Sequence, residues 1–158
     1  MKLSTSEGIW EGAVDAALLY SASAAKAGIN LEVNKVPSDG YWADVWLKHP
    51  WSASYWSGRP TEDWMFTVAY AAGGSWNESR WAHPRFNELL KAARGELNED
   101  KARDMYWEMQ QLCSDEGGSV IALFADHLIG HSEKLAHGPI AGNWELDGYR
   151  IMERWWFA

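Results

Sequence analysis

The sequence AAKAGINLEV at residues 24–33 passes from a helix to a strand within ten residues. Residues 12–27 are rich in alanine, and Gly28 follows them at the position where a left-handed residue commonly ends a helix. Apolar and polar residues then alternate over residues 29–34, which is the period of a strand with one wet face. Together with a short strand near residues 2–4, this stretch predicts a βαβ unit.

The pattern continues along the chain as short strands and amphipathic helices. The further predicted elements are a short helix at 41–47, a strand at 52–56, a helix that Thr61 caps, helices at 84–94 and 98–116, a buried strand at 119–125, and an irregular tail ending in a terminal strand. Strands that alternate with helices favour parallel pairing and right-handed crossovers. We therefore expect an α/β fold with a mostly parallel sheet flanked by helices.

Composition limits the possible functions of the chain. The 158 residues carry a formal net charge of −8 without a basic block, which argues against a nucleic-acid partner. A single cysteine, Cys113, excludes an internal disulfide and a cysteine-clustered zinc site, and its place on the apolar stripe of a helix predicts an inert side chain. The unusual feature is aromatic, because 12 tryptophans accompany 6 tyrosines and 4 phenylalanines.

Catalytic and metal-binding motifs are missing from the sequence. It contains no nucleophile elbow, P-loop or dinucleotide fingerprint. The adjacent acids Glu62 and Asp63 suit the first turn of a helix better than the two sides of a hydrolase cleft. His127 and His131 lie in a segment predicted to be extended, where four residues span about 13 Å and one ion could not bridge them. We therefore predict no enzyme activity, no cofactor and no metal site.

Seven of the tryptophans lie between residues 42 and 81, and three aromatic residues stand at 155–157. Indoles in such a stretch can fill a core, or they can line a ligand pocket. The turn that contains Arg59 follows a predicted strand, and ligands of open α/β sheets bind outside the carboxyl ends of strands. Arg59 would offer a planar fork to a carboxylate or a stacking face to an indole, although a surface arginine is usually only solvated.

Four stretches of the chain, in order, resemble the C-terminal part of the extracellular solute-binding proteins of peptide-type ABC transporters, the dipeptide-, oligopeptide- and nickel-binding family. The stretches are 24–33, with its step from helix to strand; 55–63, with YWSG followed by Pro60 and Asp63; 77–93, with its Asn, Trp and Phe-Asn-Glu-Leu-Leu pattern; and 102–124. The resemblance runs over roughly residues 3–135 and thins in the tail.

The resemblance implies a periplasmic-binding-protein-like fold, of which residues 1–136 would be a partial C-terminal ligand-binding lobe and residues 137–158 a return segment to the N-terminal lobe. It implies capture of a peptide, amino-acid conjugate or anionic solute for a membrane permease. It further implies a periplasmic or extracellular location, possible lipid anchoring through an export signal outside this chain, and possible dimerisation of the isolated lobe through an exposed hinge face. The alternative is a carbohydrate-active or carbohydrate-binding module that uses tryptophan platforms.

Site residues follow from the same resemblance. Trp42 and Trp56 match tryptophans that flank the ligand, whereas Arg59 stands where peptide-binding members place the aspartate that pairs with the ligand ammonium. This departure favours a ligand carboxylate at Arg59, or an ammonium contact supplied elsewhere, for which Asp63 is the candidate. The predicted ligand-binding residues are Trp42, Trp56, Gly58, Arg59, Asp63 and Trp76.

Overall fold

A computed structural model describes residues 1–142 and 144–158 of the chain. The chain divides into two compact units, Met1–Trp56 and Ser57–Ala158. None of the helices within the described residues has both the length and the hydropathy that a membrane span requires.

Unit 1 is the predicted βαβ unit. Its elements are β1 (Lys2–Thr5), α1 (Ala13–Lys26), β2 (Glu32–Lys35) and a π-helical turn (Tyr41–Val45). The two strands pair in parallel, with Leu3 opposite Val33, and α1 provides the crossover between them. Gly28 has a φ of +74° just after α1, so the left-handed end predicted from the sequence is confirmed.

The strand predicted at 52–56 does not form beyond a single rung. Ser52 makes one parallel bridge to Ser4, and the amide of Ala53 donates to the Ser4 carbonyl at 2.8 Å. The next carbonyl, that of Ala53, accepts the hydroxyl of Tyr41 at 2.7 Å. A buried tyrosine side chain therefore takes a backbone acceptor that a longer strand would need, and the prediction of a full strand here is wrong.

Unit 2 is built around a pair of packed helices. Its elements are α2 (Glu62–Met65), a π-helical turn (Phe66–Tyr70), α3 (Pro84–Ala93), α4 (Glu99–Glu116), β3 (Leu135–His137), α5 (Glu145–Tyr149), α6 (Ile151–Arg154) and β4 (Trp155–Phe157). Pro84 occupies the first turn of α3, and Asn98 accepts the Lys101 amide at 3.0 Å to cap α4. The predicted helix starts are confirmed, because Pro84 brings no N–H that the first turn would leave unpaired, and the Asn98 side chain accepts one of the N–H groups that α4 leaves unpaired.

The core of unit 2 lies between α3 and α4. Phe86 and Met109 are fully buried, and Phe66, Leu89 and Leu90 pack around them. Cys113 lies half-buried at the edge of this cluster, and desolvation raises the pKa of its thiol to about 12. The thiol is therefore protonated at neutral pH and packs as a small apolar side chain, as its position on the helical stripe predicts.

The apolar run at 119–125 was predicted to be a buried strand, and this prediction is wrong. These residues form no strand, and Leu123 and Phe124 are 68% and 91% exposed. A strand needs a neighbour to accept and donate its backbone hydrogen bonds, whereas a helix pairs its own backbone. Within the described residues, no other strand pairs with this run, so its apolar side chains stay in solvent.

The C-terminal segment folds into an antiparallel pair. His137 of β3 lies opposite Trp155 of β4, so the predicted terminal strand is confirmed. Between the strands, α5 contains a left-handed turn in which Asp147, at φ 58°, is only 1% exposed. Its carboxylate accepts the Ala141 amide at 2.6 Å and pairs with Arg154 at 3.2 Å. The β3–β4 pairing crosses the predicted domain boundary at residue 136, which stays a prediction.

The α/β fold class with a parallel sheet and flanking helices is confirmed, although the sheet is smaller than predicted. It has two parallel strands and one additional bridge in unit 1, and a separate antiparallel pair in unit 2. All twelve tryptophans lie among the described residues, and none is fully buried. Indoles therefore cover the core and line surfaces, and they do not fill the interior.

Candidate functional site

An exposed aromatic surface in unit 1 contains the first predicted site residue. Trp42 lies on the π-helical turn, is 40% exposed, and meets the rings of Trp46 and Tyr55 edge-on at 5.7 and 5.8 Å between centroids. We call Trp42, Trp46 and Tyr55 the Trp42 surface. Edge-to-face packing fixes the rings and leaves flat apolar area toward solvent.

Tyr41 holds this surface in place. Its side chain is buried, its ring meets Trp42 at 5.5 Å, and its hydroxyl donates to the carbonyls of Ser4 and Ala53. Through these contacts, Tyr41 links the Trp42 surface to β1. Sequence reasoning missed the roles of Tyr41 and Tyr55, although their positions beside Trp42 and Trp56 were the available signal.

Trp56 is the last residue of unit 1, and it is half-buried. The remaining predicted residues, Gly58, Arg59, Asp63 and Trp76, belong to unit 2. The predicted set is thus divided between the two units, with two tryptophans in the first.

The Gly58–Arg59 turn is ordered by its own arginine. One terminal nitrogen of Arg59, Nη1, donates to the carbonyls of Ser57 and Gly58 at 2.9 and 3.0 Å and to the Ser57 hydroxyl at 3.2 Å. The side chain is half-buried. These bonds hold the guanidinium against the turn and orient the planar group that would form a fork for a carboxylate.

Trp144 also contacts this turn, and sequence reasoning missed it. Its indole N–H donates to the Gly58 carbonyl, across 86 residues of sequence. The indole also packs against Tyr149 at 5.4 Å between ring centroids. Its surroundings in the sequence carry neither a helical nor a strand period, so no local signal pointed to this contact.

Asp63 has a structural role in the fold. Both carboxylate oxygens accept from Arg94, at 2.8 and 3.0 Å, and the Tyr106 hydroxyl donates to one of them at 3.2 Å. Burial alone would raise the pKa of Asp63, but the hydrogen bonds from Arg94, Tyr106 and Thr67 and the charge of Arg94 together lower it. The carboxylate is therefore ionised and already paired.

Trp76 is displayed by an ordered loop. It is 45% exposed, and its neighbour Asn77 is buried. The side-chain amide of Asn77 donates, through Nδ2, to the backbone carbonyls of Ala71 and Trp81 at 3.0 and 2.7 Å. These bonds close the loop on either side of Trp76. The indole is thus presented to solvent by a fixed backbone, as a contact residue requires.

The acid pair weighed for hydrolysis does not form a cleft. Thr61 accepts the Trp64 amide at 3.3 Å and caps α2, so Glu62 and Asp63 lie in its first turn, as predicted. With Asp63 held by Arg94, the two carboxyl groups do not face each other across a substrate-sized gap.

An open depression of about 530 Å³ lies along α3 and the start of the following loop. Its lining includes Glu88, Lys91, Glu96 and Met105. None of the six predicted site residues lines it. This depression is not the predicted site.

No protein-family model matches the sequence, and no curated protein matches it significantly. Solved structures do match the fold. The periplasmic murein tripeptide-binding protein MppA, in an unliganded open form, superposes with a TM-score of 0.62 at 17% identity over 72% of this chain. NikZ from Campylobacter jejuni, in complex with Ni(L-His), gives 0.61 at 13% identity over 71%.

The oligopeptide-binding protein AppA from Bacillus subtilis, in complex with a nonapeptide, matches 99% of the chain with a TM-score of 0.56 at 16% identity. The chain spans only 22%, 23% and 31% of the lengths of MppA, NikZ and this AppA. It therefore has the fold of one part of a peptide- or nickel-type ABC solute-binding protein. The fold resemblance drawn from the sequence is confirmed, and the carbohydrate-module alternative is not favoured.

Proposed function

We propose that this chain is a ligand-binding part of a solute-binding protein that delivers its ligand to an ABC permease. The observation that carries the proposal is the fold, which is shared with proteins named for binding peptides or nickel complexes. Such a part captures solute and performs no catalysis of its own. Its place of action would be the periplasm or the cell exterior, as the name of MppA states for that protein.

The proposed ligand is a peptide, an amino-acid conjugate or another solute that carries a carboxylate. Arg59 would bind the carboxylate, because a guanidinium matches its planar pair of oxygens. Asp63 was the alternative contact for a ligand ammonium, but Arg94 already occupies both of its oxygens. With Asp63 already paired, Arg59 is the proposed charged contact, and a cation there favours an anionic group on the ligand.

Within each unit, exposed aromatic side chains are proposed ligand contacts. Trp42 is 40% exposed and Trp76 is 45% exposed, so both present indole area to solvent. Flat, rigid indoles bind apolar or planar groups with little loss of conformational freedom. Trp56 and Gly58 remain predicted contacts, Trp56 through its ring and Gly58 through its backbone.

A trio of matched dipeptides tests the carboxylate at Arg59. The probes are alanylalanine, its N-acetyl derivative, and its C-terminal amide, titrated at millimolar concentrations into the isotope-labelled 158-residue chain. We expect the N-acetyl dipeptide to shift NMR signals of the Gly58–Arg59 turn and the amide not to shift them. Arg59→Gln should abolish that difference, with affinity for the acid falling about tenfold or more.

Arg103→Gln is the matched control, because Arg103 is an exposed arginine that pairs with Asp100 on the surface of α4. This variant should bind like the parent chain. Equal binding of acid and amide, or full binding by Arg59→Gln, would contradict the assignment of Arg59. A chain that responds to none of the three probes would contradict ligand capture by this part of the protein.

A further inference from the structure

Two histidines and a tryptophan form a ring cluster beside the β3–β4 pair. The ring centroids of His131 and His137 lie 5.2 Å apart, with the ring planes at 80°. Trp155 stacks on His137 at 4.5 Å and meets His131 edge-on at 4.9 Å. None of these residues belongs to the predicted ligand-binding set.

Both imidazoles use the same nitrogen for a backbone contact. Nδ1 of His131 lies 3.0 Å from the Ser132 carbonyl oxygen, and Nδ1 of His137 lies 2.7 Å from that of Gly138. A carbonyl oxygen can only accept, so each Nδ1 carries the proton. In the neutral ring, the lone pair is therefore on Nε2 in both histidines.

This tautomer is the one that metal-binding histidines adopt. A ligating histidine commonly donates its other ring N–H to a backbone carbonyl, which fixes the ring and makes the free nitrogen more basic. Among residues 1–142 and 144–158, neither Nε2 has a hydrogen-bond partner. His131 is exposed and His137 half-buried, so an ion can reach the pair from solvent.

The separation of the rings also suits a shared ion. An ion about 2 Å from one nitrogen of each ring, at a right or a tetrahedral angle, places the ring centroids roughly 4.5 to 5.2 Å apart. The 5.2 Å between the ring centroids of His131 and His137 is short enough for one ion to reach both rings. By contrast, His127 lies in the same irregular segment and has no such ring partner among the described residues.

We propose that His131 and His137 bind one divalent ion of the late first-row transition metals through their Nε2 atoms. Imidazole favours Zn²⁺, Ni²⁺ and Cu²⁺ over the harder Mg²⁺ and Ca²⁺. The described residues contain no group of three histidine, cysteine or carboxylate side chains around an ion site. Water or a small chelating molecule therefore completes the coordination, and the ion stays exchangeable.

Asp147 is the nearest candidate for a third ligand, and it is already used. It accepts the Trp155 indole N–H at 3.1 Å in addition to its bonds with Ala141 and Arg154. The proposed ion would link the His131 segment to β3 and would stabilise the β3–β4 pair when bound.

Isothermal titration of the untagged chain with Zn²⁺ tests this site, with Mg²⁺ as the reference ion. We expect one Zn²⁺ per chain and no response to Mg²⁺. His131→Ala and His137→Asn should each weaken Zn²⁺ binding about tenfold or more. His127→Ala, a histidine of the same exposed segment, should leave the affinity unchanged.

Thermal unfolding of each variant separates loss of the ligand from loss of the fold, and His131→Ala removes an exposed side chain that the fold does not need. The proposal is overturned if the parent chain binds no Zn²⁺ below millimolar concentration. It is equally overturned if either His131→Ala or folded His137→Asn binds as the parent does, or if His127→Ala weakens binding as much. The proposal does not depend on the Arg59 assignment, which the dipeptide probes test separately.

Discussion

Helix α4 and the run at 119–125 are neighbours in the sequence, and both carry large apolar side chains, but those side chains differ in burial. Met109 on α4 is fully buried against Phe86, whereas Phe124 in the run is 91% exposed. The backbone groups of the helix hydrogen-bond within the helix, so it can bury its apolar side chains by packing one face against a neighbour. The run needs a paired strand before it can bury anything. Apolarity alone therefore does not decide burial.

The largest expected effect comes from a matched pair of phenylalanines. Phe86→Ala should lower the free energy of unfolding by about 3–5 kcal/mol, because it leaves a cavity in the α3–α4 core. Phe124→Ala should change it by no more than about 0.5 kcal/mol, since the ring is already in solvent. Urea denaturation of both variants measures the contrast.

Similar losses of unfolding free energy in the two variants would contradict this difference in burial. A loss above about 2 kcal/mol for Phe124→Ala would mean that the run at 119–125 packs in solution. A small loss for Phe86→Ala would mean that the α3–α4 core tolerates a large cavity.

A smaller effect is expected from the polar contact that joins the helices of unit 2. Asp63 of α2 pairs with Arg94 at the end of α3 and accepts from Tyr106 of α4. Asp63→Asn should lower the free energy of unfolding by about 1 kcal/mol at neutral pH, because half-exposed Arg94 is screened by solvent. Chemical denaturation at several pH values measures the loss.

The pH dependence of this difference has a definite sign. The pKa of Asp63 is lowered in the folded chain, so its stabilisation is present above the ordinary aspartate pKa of about 4 and disappears as the pH falls through the lowered folded value. Parent and Asp63→Asn should therefore converge in acid. Asp100→Asn, at an exposed pair with Arg103, is the control and should change the free energy of unfolding by no more than about 0.5 kcal/mol at neutral pH. A difference that persists unchanged in strong acid would contradict the role of the ionised carboxylate.

The free energy of local opening, as measured by hydrogen exchange, should be smallest in the run at 119–125. Backbone amides of residues 120–125 should exchange with solvent at nearly the unprotected rate, because their N–H groups lie in an exposed segment without a strand partner. Amides of residues 105–113 within α4 should be protected in the same experiment. Protection of the run that rises with protein concentration would instead show pairing between copies of the chain.

Local features of the fold were predictable from the sequence. Gly28 ends α1, Pro84 begins α3 and Asn98 caps α4, and each prediction rests on the conformation or hydrogen bond of a single residue. The strands were harder to predict. Ser52 forms one bridge because Tyr41 occupies the next carbonyl, and this contact joins residues that are distant along the chain.

In the candidate site, too, individual residues were predictable from the sequence, whereas the contacts between distant residues were not. Arg59 was identified from its place in a turn after a predicted strand, and Trp42 from the resemblance to the solute-binding proteins; both remain proposed ligand contacts. The pairing of Asp63 with Arg94 spans 31 residues, and the contact of Trp144 with Gly58 spans 86. Neither pair shares a local period, so no sequence window contained the signal. The same holds for His131 and His137, whose free nitrogens follow from backbone carbonyl positions.

The sequence by itself determined where α1 ends and where α3 and α4 begin, that the chain is α/β, and that its fold resembles part of a solute-binding protein. Those features depend on backbone preferences and side-chain bonds within a few residues. Only the tertiary structure decided that Asp63 is paired, that every tryptophan retains some solvent exposure, and that the run at 119–125 stays exposed. The reason is physical: burial and strand pairing require partners that meet in space, and their positions follow from the whole fold.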